Sequence, residues 1–201
     1  MGTIVIDEQF DRCRKMLKED IGKKRYLHSI GVSDTAACLA MRYGYDVKNA
    51  AIAGLLHDCA KGLSEEELIG TVTRANIDIS PIERDNPELL HSKAGSVIAR
   101  EKYGISDETI LSAIFWHTTG KPAMSLLEKI IFLADYIEPN RCNIPNIERI
   151  RKLAFTDIDA SVAFACENSI EYLKRSSRVI DRITVDTYDY YKEHLDETKQ
   201  E

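Results

Sequence analysis

The run Ala50-Ala51-Ile52-Ala53-Gly54-Leu55-Leu56 ends in His57-Asp58, so a segment apolar enough for the interior delivers an imidazole and a carboxylate side by side. A buried carboxylate without a partner costs on the order of several kcal/mol or more, so the chain must fold to give this acid a cation. Asp135 repeats the problem at the end of Ile130-Ile131-Phe132-Leu133-Ala134. Negative charge at a helix C-terminus is opposed by the helix dipole as well, which strengthens the demand. His28, His91 and His117 also lie on segments with apolar neighbours, whereas His194 sits in the polar C-terminal stretch and reads as a surface residue. A fold that brings four histidines and two acids to one point satisfies all six at once.

Helical spacing dominates the rest of the chain. Ile6, Phe10, Cys13, Leu17 and Ile21 recur at three- and four-residue intervals, predicting an amphipathic first helix. A second helix is expected from about Lys24 to Tyr43, with Leu27, Val32, Ala36, Leu39 and Ala40 facing inward and Gly44 ending it. Val47 to Asp58 reads as a central helix carrying the His-Asp pair at its end. Ser64 with Glu67, and Ser125 with Glu128, have the spacing of capping boxes. Asn86-Pro87 is expected to open a helix that carries His91 and runs to Gly104, and Ser106 to Trp116 another that stops at His117. The helix through Leu126 to Asp135 is broken by Glu138-Pro139, and further helices follow at about Ile147–Phe155, Ile158–Lys174 and Val179–Leu195. With no linker, no repeat and little strand-period alternation, the expectation is all-α: a single domain over residues 1–201, its core at about 20–140 and its C-terminal helices at about 146–195 packing on it.

The 27 basic and 33 acidic residues are interspersed, and the net charge of −6 argues against a general nucleic-acid binder, whose affinity depends on neutralising many phosphates. A local cationic patch for a small phosphorylated ligand remains compatible. Cys13, Cys38, Cys59, Cys142 and Cys166 are odd in number with no Cys-x-x-Cys pair, so they read as reduced, buried thiols of a cytoplasmic protein, with Cys59 singled out for its place beside Asp58. The apolar runs fall short of the roughly 20 residues needed to cross a bilayer, no export signal is expected, and Ile6 stands where myristoylation prefers Ser or Thr. Tyr188, Tyr190 and Tyr191 read as packing or a subunit surface, which leaves a homodimer open.

Imidazole with carboxylate suits iron, manganese, cobalt or zinc, not magnesium or calcium. His28, His57, Asp58 and Asp135 form a set for one ion and His91 with His117 a set for a second, Asp58 bridging the two. Paired ions roughly 3.5–4 Å apart are the usual arrangement for displacement at phosphorus. The order His, His-Asp, His, His, Asp resembles the HD-domain phosphohydrolases. The runs Arg25-Tyr26-Leu27-His28, Gly54-Leu55-Leu56-His57-Asp58-Cys59-Ala60-Lys61, His91-Ser92, His117-Thr118-Thr119-Gly120 and Ala134 to Arg141 are similar to the YqeK branch over nearly the whole chain. That resemblance implies an HD-domain helical bundle, a dinuclear transition-metal centre with iron first and manganese, cobalt or zinc as alternatives, and all six ligands at matching positions. It also implies hydrolysis of dinucleoside polyphosphates, with symmetric cleavage of diadenosine tetraphosphate to two ADP by a hydroxide held between the metals. Other readings of the same residues are hydrolysis of another nucleotide or cyclic nucleotide, a non-catalytic metal- and nucleotide-binding regulator, and a di-iron oxygenase.

Around this set, Asp58 and Lys61 are the candidate catalytic residues. Lys61 follows Asp58 by three positions, where it would hold phosphate or donate a proton, or else complement the helix dipole. Arg25 and Arg141 are candidate bidentate grips on phosphate, with structural salt bridges as the plainer alternative. Thr118 and Thr119 would supply hydroxyl and backbone donors beside His117.

Overall fold

The computed structural model describes the backbone of residues 8–197 and side chains as far as residue 193. The expectations for Ile6, including the lipidation site, and for the side chains of His194 and Leu195 lie outside the described residues. Among those described there is no strand. The helices are α1 (Glu8–Asp20), α2 (Lys23–Tyr43), α3 (Val47–Leu56), α4 (Glu65–Arg74), α5 (Pro81–Asp85), α6 (His91–Glu101), α7 (Glu108–Trp116), α8 (Leu126–Ile137), α9 (Ile147–Ala154), α10 (Ile158–Arg175) and α11 (Arg182–Glu197). A 3-10 turn, Pro87–Leu90, leads into α6. No described helix is long and apolar enough to cross a membrane.

Four of these helices, α2, α3, α7 and α8, pack on one another and enclose the main core. Leu39, Ile52, Leu55, Ile114, Leu127 and Ile130 are fully buried there. Burial of each such side chain stabilises the fold by roughly 1.5–3 kcal/mol. α3 approaches α2 closely because Gly54 has no side chain: a Cβ there would lie 3.0 Å from both Ser33 Cα and Val32 O. α10 packs against α8, α9 and α11, placing the C-terminal helices on the same body. Ala60, Leu68, Val72, Leu90 and Ala94 form a smaller core that holds α4 and the 3-10 turn beside the end of α3.

Local signals act as their chemistry requires. Ser64/Glu67 and Ser125/Glu128 both form capping boxes, and Gly44 ends α2 in the left-handed region at φ 69°. A third box, Ser80 with Glu83, opens α5, a helix the sequence reading passed over.

Four expectations need correction. Leu27 is 53% exposed, because the buried face of α2 carries Ser29, Val32, Ala36, Leu39 and Ala40, and at 100° per residue position 27 points away from it. α3 stops at Leu56, leaving His57 as its C-cap and Asp58 in the following turn. Asn86 does not open the helix that carries His91: its backbone N–H and its side-chain amide both donate back to Ile82 O, so it is the C-cap of α5. Cys38 and Cys142 are exposed, and only Cys13, Cys59 and Cys166 are buried.

Candidate metal centre

Five helices deliver the six side chains. His28 lies in the second turn of α2, His57 caps α3 with Asp58 just beyond, His91 is the first residue of α6, His117 caps α7, and Asp135 lies in the last turn of α8. The imidazoles form a chain, with ring centres 5.2 Å apart for His28 and His57, 5.0 Å for His57 and His117, and 5.2 Å for His91 and His117. Asp135 Oδ1 is 3.0 Å from His28 Nε2 and 3.7 Å from His57 Nε2. Asp58 faces both ways: Oδ2 is 3.6 Å from His57 Nε2, while Oδ1 is 3.5 Å from His117 Nε2 and 3.6 Å from His91 Nε2. All six candidate ligands therefore converge.

The same local device aims three of the rings. His57 Nδ1, His91 Nδ1 and His117 Nδ1 each lie 2.7 Å from the carbonyl oxygen three residues earlier, those of Gly54, Glu88 and Ile114. A carbonyl only accepts, so Nδ1 carries the proton and Nε2 presents its lone pair to the centre. His28 is aimed by a carboxylate instead, with Nδ1 3.2 Å from Glu138 Oε1. Glu138 is buried, and its other oxygen accepts from Asn140 N and Asn140 Nδ2. Sequence reasoning missed this residue and treated Glu138-Pro139 only as a helix break. The signal was an acid one helical turn beyond Asp135, on the same face.

Charge within the cluster is strongly perturbed. Burial opposes ionisation of Asp58, but His57, His117 and Lys61 outweigh it and hold the carboxyl well below its usual range. Asp135 is likewise depressed: burial works against the anion, and the His28 hydrogen bond with the charges of His57 and Arg141 prevails. Burial lowers His57, and burial with the Lys61 charge pulls His91 down to about 3, so both are neutral imidazoles. His28 goes the other way, because hydrogen bonds to Asp135 and Glu138 overcome its burial and favour the cation.

Two buried atoms, His57 Nε2 and Asp58 Oδ1, have no hydrogen-bond partner although both point into the convergence. Orphaned acceptors in such a place are costly unless a cation meets them. Nitrogen and carboxylate oxygen in this proportion fit a divalent metal site, and His28, His57 and Asp58 form one cluster of suitable spacing while Asp58, His91 and His117 form another. Cys59 does not join them. Its thiol donates to Gly95 O, and burial with the Asp58 charge pushes its pKa up, so it stays protonated.

Of the remaining candidates, Lys61 and Thr118 line the same region. Lys61 Nζ is 3.4 Å from Asp58 Oδ1 and 3.5 Å from His91 Nε2, with 42% of its side chain exposed. Thr118 Oγ1 lies 3.1 Å from His91 Nε2 and 3.3 Å from His117 Nε2. Arg25 reaches the turn after Lys61, its Nη1 3.5 Å from where a Cβ on Gly62 would be. Arg141 is committed to Asp135, donating from Nη2 to Oδ1 at 2.8 Å and from Nε to the main-chain oxygen at 3.2 Å. Thr119 turns away, with Oγ1 on Gly120 O and its own carbonyl accepting from Thr187 Oγ1.

Residues 25–140, which span all six converging side chains, match the HD domain. The chain belongs to the HD-domain family. Among HD relatives, a protein from Bacillus subtilis named symmetrical bis(5'-nucleosyl)-tetraphosphatase is 38% identical over 87% of this chain and 92% of its own. One of the same name from Halalkalibacterium halodurans is 42% identical over the same shares. A crystal structure from Clostridium acetobutylicum, described as a predicted HD superfamily hydrolase involved in NAD metabolism, superposes with a TM-score of 0.88 at 39% identity. The match covers 92% of this chain and 97% of that one. The HD core thus coincides with the part of the fold that places the candidate ligands.

Proposed function

We propose that this HD-domain chain is a metal-dependent symmetrical bis(5'-nucleosyl)-tetraphosphatase that cleaves diadenosine tetraphosphate to two ADP. The observation that carries the reading is Asp58, whose Oδ2 faces His57 while its Oδ1 faces His91 and His117, so that one carboxylate could serve two ions. The names of the relatives from B. subtilis and H. halodurans supply the substrate class. In this reading His28, His57, Asp58 and Asp135 would hold one ion, and Asp58, His91 and His117 the other. Iron is the first choice of metal, with manganese, cobalt and zinc suited to the same donors. Bound divalent metal would lower the pKa of water to near neutrality and offset charge gathering at phosphorus.

The protein's own groups do the rest. Lys61, beside Asp58 Oδ1 and His91 Nε2, holds a phosphate oxygen and gives a proton to the departing diphosphate. Thr118 orients the phosphate from the His91–His117 side, and Arg25 approaches from the turn at Gly62. Arg141, paired with Asp135, fixes that carboxylate's orientation. A cytoplasmic setting belongs to the same reading, supported by five cysteines that are all free.

A second reading, another nucleotide as substrate, draws support from the description of the C. acetobutylicum structure as involved in NAD metabolism. Incubation with diadenosine tetraphosphate, metal content measured alongside and products resolved by chromatography, separates the two. Two ADP as sole product is expected; ATP with AMP, or no turnover by metal-loaded protein, overturns the first reading. Asp58→Ala is expected to lose metal and turnover together, and a variant retaining both would remove Asp58 from the bridge.

A further inference from the structure

Both acids that meet His28 belong to the end of α8: Asp135 lies in its last turn, and Glu138 is its C-cap. The last carbonyls of a helix have no partner within it, and α8 has no basic residue in its last turn to answer them. The answer comes from another helix. Arg151, half-buried on α9, donates from Nε to Ile137 O at 3.0 Å and from Nη2 to Glu138 O at 3.0 Å and Arg141 O at 3.3 Å. One guanidinium thus meets three carbonyls across residues 137–141, and its positive charge suits a helix C-terminus. The same segment holds both supports of the centre, Glu138 behind His28 and Arg141 on Asp135. Arg151 itself lies beyond positions 25–140, on a helix anchored by Ile147, Ile150 and Ala154. From the other side Glu138 is confined by α2. A Cβ on Gly31 would lie 2.7 Å from Glu138 Oε2, so the carboxylate fills space that any other residue at position 31 would take.

We infer that Arg151 and Gly31 are positioning residues for the His28–Asp135 half of the centre. Arg151 fixes the backbone from which Glu138 and Arg141 act, and Gly31 leaves room for the Glu138 carboxylate. The inference rests on the two-ion reading and adds that α9, outside the matched HD core, sets the affinity for one ion of the pair. The other half is aimed independently, because His91 and His117 are held by carbonyls of their own segments, Glu88 O and Ile114 O. Lysine cannot take the place of Arg151: its ammonium is a single point of charge, whereas the planar guanidinium reaches all three carbonyls from one edge.

The test is titration of the metal-free full chain with cobalt(II) in competition with a chromophoric chelator, which gives the number of ions and the affinity of each. Wild-type protein is expected to take two. Arg151→Met and Arg151→Lys are each expected to weaken one ion roughly ten-fold and leave the second unchanged. Gly31→Ala, which a helix accepts readily and which displaces only the end of a flexible side chain, is expected to weaken the same ion. His28→Gln identifies it, since that variant removes a ligand from this half alone. Equal weakening of both ions, in step with a lower urea midpoint of the metal-free protein, marks a general loss of packing and overturns the assignment, as does unchanged affinity in the Arg151 variants or in Gly31→Ala. Unchanged affinities in protein that hydrolyses diadenosine tetraphosphate overturn the positioning role and leave the proposed activity standing. Selective loss of one ion in a chain whose wild type does not hydrolyse it does the reverse. A wild-type chain that takes one cobalt or none removes the two-ion reading and this inference with it.

Discussion

Glu138 touches no convergent lone pair directly, yet it decides where one points. With Oε1 on His28 Nδ1, it fixes the ring that presents Nε2 to Asp135, the outer support that metal-binding imidazoles commonly have. Glu138→Gln is expected to lower metal affinity by roughly 10–100-fold, read by competition with a chelator, with the helical signal unchanged. Unaltered affinity would reduce Glu138 to a helix cap. His91 carries a different signature. In metal-free protein its folded pKa is about 3 against an ordinary 6.5, so between these values the unfolded chain binds one more proton than the folded one. Stability therefore falls as pH drops through that window, by about 1.4 kcal/mol per unit for this group. His28, whose pKa is raised, opposes this only near the top of the window, where the unfolded imidazole is still taking up the proton that the folded one already holds, and adds no slope lower down. Urea unfolding of chelated protein between pH 6.5 and 4 is expected to give a shallower dependence for His91→Gln than for wild type, and equal slopes would contradict the burial argument.

At the scale of elements, the site depends on how closely α3 lies against α2. Gly54 permits that approach, and its carbonyl also aims His57. Gly54→Ala sets a methyl 3.0 Å from backbone that has no room to yield, and is expected to cost about 1–3 kcal/mol in urea unfolding with a matching loss of metal. Full stability in that variant would show that the helices can separate without harm. The elements themselves were largely legible. Capping boxes at Ser64 and Ser125, Gly44 after α2, and the apolar spacing within α8 are local signals that no tertiary contact overrides. Asn86-Pro87 misled because the amide side chain had two helices to choose between, and only the packed structure shows it bonding back to Ile82. Leu27 misled because a hydrophobic residue on a long helix says nothing about which side the core takes until the full stripe is weighed.

For the molecule as a whole, the convergence joins residues 28 and 135, more than half the chain apart, through helices α2, α3, α6, α7 and α8. An ion held there binds only the folded state, so loading at 1,000 times its dissociation constant is expected to add about 4 kcal/mol. For a chain of this length that corresponds to roughly 8–16 °C in Tm. Thermal unfolding with and without chelator measures it, and coincident curves would count against a centre linking these helices. The identity of the six converging residues was legible because buried acids and histidines stand out against apolar runs. What the sequence concealed was part of the support: Glu138 behind His28 was not foreseen, and Arg141, named from sequence as a phosphate grip or a salt-bridge partner, pairs with Asp135. These depend on distances between helices, which spacing along a chain does not encode.

The carbonyls of Gly54, Glu88 and Ile114 give three rings a fixed destination for their N–H within a four-residue window. A ring so tied has lost its rotational freedom during folding, before any ion arrives, and the ion has little left to order. The three rings then form a mould cast in advance, which would select among cations by radius and preferred bond directions instead of being reshaped by them.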